Sequence, residues 1–136
     1  MINIFDISIS TEWTVQFLIT SFFGVLFLQS GLDKFIDWNG NKAYFTVHFN
    51  QSPLSKVVVP MLFIIALLEF IAGFTSTYGL IAFCLWGETE WAKLGIILAA
   101  INLLVLFSGQ RINKDYGGAA VLVHYFLIAI VGLLLF

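Results

Sequence analysis

Four long apolar runs, separated by three polar connections, decide what this chain folds into. They cover roughly Trp13 to Phe35, Val57 to Phe83, Trp91 to Ser108 and Ala119 to Phe136. Each supplies about the 20 residues that an α-helix needs to cross ~30 Å of hydrocarbon. Within the runs there is no period-2 alternation, which excludes a membrane β-barrel. The expectation is an all-α four-helix transmembrane bundle, with residues 1–136 forming a single integral membrane domain. Composition agrees. The chain is 60% hydrophobic and 10% charged, whereas soluble domains carry about 25% charged residues. The second run is long, and it is expected to tilt, kink or leave the membrane near Tyr78-Gly79. The segment Met1 to Glu12 has no basic residue and no cleavage site, so it is not expected to be a signal peptide.

Basic residues orient the bundle. Lys34, Lys42 and Lys56 flank or occupy the first loop, and Arg111 and Lys114 the third. Near the second loop only Lys93 occurs, beside Glu88 and Glu90. The positive-inside rule places loops one and three in the cytoplasm and both termini outside. Trp13, Trp86 and Trp91 then form an outer aromatic belt, and Trp38 and Tyr116 an inner one. Loop one, Asp37 to Lys56, holds Trp38, Tyr44, Phe45, His48 and Phe49, which predicts a short interfacial helix. Pro60 suits a first helical turn.

Glu69 lies near the middle of the second span, in Leu67-Leu68-Glu69-Phe70-Ile71. A charge there costs roughly 2.5–3.5 kcal/mol on insertion scales, so something must receive it. By helical rise, Glu69 is ~18 Å from the start of its span. Gln29, Asn102 and His124 fall ~8–9 Å from the inner ends of spans one, three and four, at one level. These four residues are the expected intramembrane polar centre. Lys34 and Asp33 stand at the mouth of span one. Pairing of Lys34 with Glu69 would need span two to begin deeper than Val57, so Lys34 is expected to snorkel to the head groups. Without a cation beside it, Glu69 is expected to be neutral.

Each of these residues has a structural reading beside a functional one. Glu69 fits packing glue, a proton or ligand site, or a contact to another subunit. His124 fits an inter-helix hydrogen bond. A bis-histidine haem is disfavoured because His48 lies in a loop at another level. Asn102 and Gln29 read as polar glue. Asp115 reads as the cap of a turn entering span four. Gly73, Gly95, Ala99 and Ala100 permit close helix approach. Cys84 reads as a small apolar packing residue, and as the single cysteine it allows no disulfide, CxxC pair or thiolate cage. A net charge of −2 offers no patch for nucleic acid. No catalytic residues, metal-ligand spacing or phosphate loop emerge, and no cofactor is required.

Three stretches resemble the DoxX family of small bacterial membrane proteins. The first is Phe27-Leu28-Gln29-Ser30-Gly31-Leu32-Asp33-Lys34-Phe35 at the end of span one. The second is Leu68-Glu69 with Ala72-Gly73 in span two. The third is Gln110 with Asp115-Tyr116-Gly117-Gly118-Ala119-Ala120 entering span four. Gly31, Lys34, Gly73, Gln110, Asp115 and Tyr116 are thus the family-motif residues. The resemblance covers almost the whole chain. It departs at Trp86-Gly87-Glu88-Thr89-Glu90-Trp91, an insertion-like second loop. The resemblance implies four helices in the inner membrane. It also implies kinship with proteins of quinone-coupled sulfur oxidation or of complexes handling oxidative stress, without one shared activity.

The first functional expectation is a non-catalytic accessory or assembly subunit of a larger membrane complex, with membrane lipids and other membrane subunits as partners. The alternative is a quinone-linked redox component holding quinone (or a lipid) near Gln29, Asn102 and His124, with Glu69 handling a proton. A small proton-coupled transporter ranks third, because no inverted repeat is visible.

Overall fold

The computed structural model describes all 136 residues. In chain order it has strands β1 (Ile2–Ile4) and β2 (Ile7–Ile9), helices α1 (Thr11–Ile36) and α2 (Trp38–His48), a 3-10 turn (Ser55–Val57), and helices α3 (Val58–Trp86), α4 (Glu90–Ile112) and α5 (Tyr116–Leu135). α1, α3, α4 and α5 are long and apolar enough to cross a membrane. They form the expected all-α four-helix bundle of a multi-pass membrane protein. Trp13, Trp86 and Trp91 start or end their helices at one end of it, which also carries the β-hairpin. The other end carries α2.

Local chemistry sets the helix ends. Ser10 caps α1, its hydroxyl accepting from the Trp13 N–H at 3.3 Å. α3 runs unbroken past Tyr78-Gly79 and stops at Gly87, which takes the left-handed conformation (φ 70°) and donates its N–H to the Phe83 carbonyl. Gly79 serves packing within this continuous helix, because a Cβ there would overlap the Ala92 backbone. The insertion-like second loop shrinks to Gly87–Thr89 between two long helices. The first loop does contain a helix, α2, with Trp38 edge-on to Phe63 at 6.3 Å. The N-terminal hairpin escaped the sequence reading. Ile2, Ile4, Ile7 and Ile9 alternate around Phe5-Asp6, and both turn residues have positive φ, as a two-residue hairpin turn demands.

Small residues bring the helices close. A Cβ on Gly31 would lie 2.6 Å from the Phe70 nitrogen, and one on Gly73 would overlap the Leu28 backbone. Gly95 likewise faces the Ser76 backbone of α3. These contacts lock α1 on α3 and α3 on α4 in fixed antiparallel registers. Phe23, Phe27, Ile96 and Leu103 fill the core around the closely spaced Ala72, Ala99 and Ala129.

The registers also offset the helix ends. Beyond the Gly31–Phe70 contact, α1 has five residues left and α3 has twelve. At 1.5 Å per residue, α3 projects about 10 Å past the end of α1. The projecting turns are where α2 packs.

Candidate functional site

Lys34 and Glu69 meet in the space between α1 and α3. Lys34 Nζ is 2.7 Å from Glu69 Oε2, and the two side chains are 10% and 3% exposed. Lys34 also donates to Ser30 Oγ at 3.0 Å and lies 3.5 Å from the Ser30 carbonyl. The approach to Glu69 is a close ion pair rather than an aligned hydrogen bond, since Oε2 accepts none of good angle. The expected snorkelling of Lys34 is thus corrected, and the cation-free setting expected for Glu69 does not hold: the lysine supplies the partner. Two physical reasons carry the correction. Depths counted from helix ends assumed that the ends share a plane, whereas the offset brings the two Cα levels within about 3 Å. Side chains also lean toward the N-terminus of their own helix. On antiparallel helices Lys34 therefore leans toward Ser30 and Glu69 toward Ile65, so they lean toward one another.

The α3–α4 register that sets Ser76 on Gly95 and Gly79 on Ala92 sets Glu69 opposite Asn102. Asn102 is 1% exposed, and neither its Nδ2 nor its Oδ1 has a hydrogen-bond partner. Ser76 Oγ is also buried without a partner. An unpaired buried amide is destabilising by about 1–3 kcal/mol, whereas an apolar group of similar shape is not. Asn102→Leu is accordingly expected to stabilise the bundle by about 1 kcal/mol or more in detergent unfolding. A destabilised variant would show that the amide is held by a bound group.

The other two members of the expected polar layer do not join it. Gln29 is exposed on α1, and His124 is exposed on α5 with only its own turn's Val121 carbonyl near Nδ1, at 3.3 Å. The reason is helical phase. Gln29 lies two residues from each of the buried Phe27 and Gly31, about 200° around the helix from them. His124 lies five residues from the buried Ala119 and Ala129, about 140° away. Equal depth did not mean a shared face. Cys84, expected to pack, is exposed as well.

A second polar cluster forms at the α2 end. His48 Nε2 lies 3.3 Å from both Gln110 Oε1 and Asp115 Oδ2. Asn113 Nδ2 donates to the His48 carbonyl at 3.1 Å. Asp115 caps α5 as expected, accepting from the Gly118 N–H at 3.0 Å. The Arg111 guanidinium sits 4.4 Å above the Tyr116 ring, a cation–π contact. Two of the motif residues, Gln110 and Asp115, thus gather around His48, a histidine that the sequence alone had placed in a loop and set aside. Its spacing from Gln110, 62 residues, left no local signal.

Between the two clusters lies a partly enclosed cavity of about 140 Å³. Lys34 and Gln110 are its polar walls, Phe45 and Phe49 close it from the α2 side, and Gly109 and Leu122 line it from α4 and α5. A wholly apolar groove of about 240 Å³ between α4 and α5 shares Leu122 with it. No cluster of His, Cys, Asp and Glu has the arrangement of a metal site. Comparison of the chain with family models, with curated proteins and with solved structures gave no match.

Proposed function

We propose that this chain is a non-catalytic, DoxX-like subunit of a larger complex in the bacterial inner membrane, with the α2 end on the cytoplasmic side and both termini outside. The observation that carries the reading is the outward projection of Gln29 and His124 from two neighbouring spans. The contacts of Ile19 with Gly132 and of Gln16 with the Leu135 carbonyl set the α1–α5 register. In that register the two side chains lie within about 3 Å of one level. A polar group facing hydrocarbon is unsatisfied, whereas one facing another helix finds a hydrogen bond.

The surface around Gln29 has the form of a helix-packing seam. Leu18, Phe22, Val25, Gln29, Leu32 and Ile36 are all exposed and recur at alternating steps of four and three. That is the spacing of a left-handed helix pair, in which a single polar residue selects register and partner. α5 is also the least buried of the four spans. The DoxX reading draws support from its motif residues: Gly31 and Gly73 make the closest α1–α3 contacts, Lys34 forms the buried ion pair, and Gln110 and Asp115 hold His48.

Purification of the tagged chain in mild detergent tests the proposal. A stoichiometric membrane partner is expected in the peak. Gln29→Leu and His124→Leu should each weaken its retention roughly three- to thirtyfold, the worth of one interhelical hydrogen bond. A chain that always elutes alone would sink the reading, as would a partner indifferent to both substitutions.

A further inference from the structure

We infer that the cavity beneath Lys34 binds a neutral amphiphile through a carbonyl oxygen on its head, with the tail of the ligand lying in the α4–α5 groove. The argument begins with donors. The Lys34 ammonium has three N–H bonds. Ser30 Oγ accepts one at 3.0 Å, the Ser30 carbonyl lies at 3.5 Å, the limit of a hydrogen bond, and Glu69 approaches as an ion pair without an aligned hydrogen bond, so Lys34 keeps donor capacity for a ligand. Gln110 meets His48 through its carbonyl oxygen, which leaves its amide N–H bonds for the cavity. Two donors therefore line a space whose other walls are mostly apolar.

Charge selects the ligand class. Glu69 already neutralises Lys34, so the pair carries no net charge. A carboxylate or phosphate entering the cavity would bring a second negative charge beside a single ammonium in a low-dielectric setting, and its desolvation would go uncompensated. A neutral carbonyl accepts the free N–H bonds without that penalty. Size agrees: a cavity of about 150 Å³ holds one benzene ring, and this one is about 140 Å³. The shared residue Leu122 joins it to a groove with no polar lining, suited to an alkyl or prenyl chain. Both a quinone ring and a glycerolipid ester have this chemistry.

Gly109 provides the test. It lines the cavity, and a Cβ built on it meets no atom within 4 Å. Gly109→Phe should therefore fill the cavity without disturbing the Lys34–Glu69 pair, and Gly109→Ala is the conservative control. The full chain in detergent would be titrated with three probes of equal tail: decyl-benzoquinone, monodecanoylglycerol and decanoate. At least one neutral probe is expected to bind about tenfold more tightly than decanoate, and to lose about tenfold in Gly109→Phe but not in Gly109→Ala. The neutral probe that binds identifies the source as quinone or glycerolipid. Should Gly109→Phe fail to fold, Leu122→Trp fills the same cavity from α5. Decanoate binding as well as the neutral probes would overturn the inference. So would binding by a folded, cavity-filled variant at undiminished affinity.

Discussion

Lys34→Met or Glu69→Leu alone is expected to destabilise the bundle by about 3–5 kcal/mol, while the double variant returns close to the parent stability. Either single change leaves one charge buried between α1 and α3 without a counter-ion, in a site where the side chains are 10% and 3% exposed. Removing both charges leaves an apolar contact of similar volume, and buried pairs replaced in this way are often neutral or better. Unfolding by increasing the SDS fraction in mixed micelles measures all four members of the cycle. Strict additivity of the two single changes would show that the residues do not interact. The cycle also separates roles. If the double variant is stable yet loses the carbonyl-bearing probe, Lys34 serves the ligand as well as the fold.

Gly73→Leu is expected to be the most damaging single change in the chain outside the ion pair, at about 3 kcal/mol or more. The obstacle is backbone, not a side chain able to swing away. A Cβ on Gly73 would overlap the Leu28 nitrogen and Cα and the Phe27 carbonyl carbon. α1 and α3 must then separate along their length, which also pulls Lys34 away from Glu69. Gly24→Ala makes a useful contrast. Its Cβ would lie 3.0 Å from the Thr77 hydroxyl, a group that can rotate, so a smaller loss is expected. Equal stability of Gly73→Leu and the parent, in the same SDS titration, would show that the two helices are not locked at this point.

The four spans were legible because their evidence is local and repeated. Each run is long, apolar and bounded by polar or turn residues, and the structure extends every helix only a few residues beyond the run. The cap at Asp115 and the close-packing roles of Gly73 and Gly95 were legible for the same reason, since a turn residue or a missing Cβ acts where it stands. The N-terminal hairpin was overlooked although its isoleucine alternation was present, because strands of three residues give too short a pattern to stand out.

What the sequence by itself determined is the class of structure: four apolar helices, a helical first loop and an ionisable residue within a span that had to find a partner. Which partner it found was decided only by the tertiary structure. The identity of that partner depends on how far one helix slides along its neighbour, and the Gly31–Phe70 and Gly73–Leu28 contacts set that slide between residues some 40 positions apart. A shift of seven residues in the relative ends of α1 and α3 turned a lysine expected at the head groups into the counter-ion of Glu69. The same assembly turned Gln29 and His124 away from the core, because depth along a helix and direction around it are independent, and only packing fixes the second.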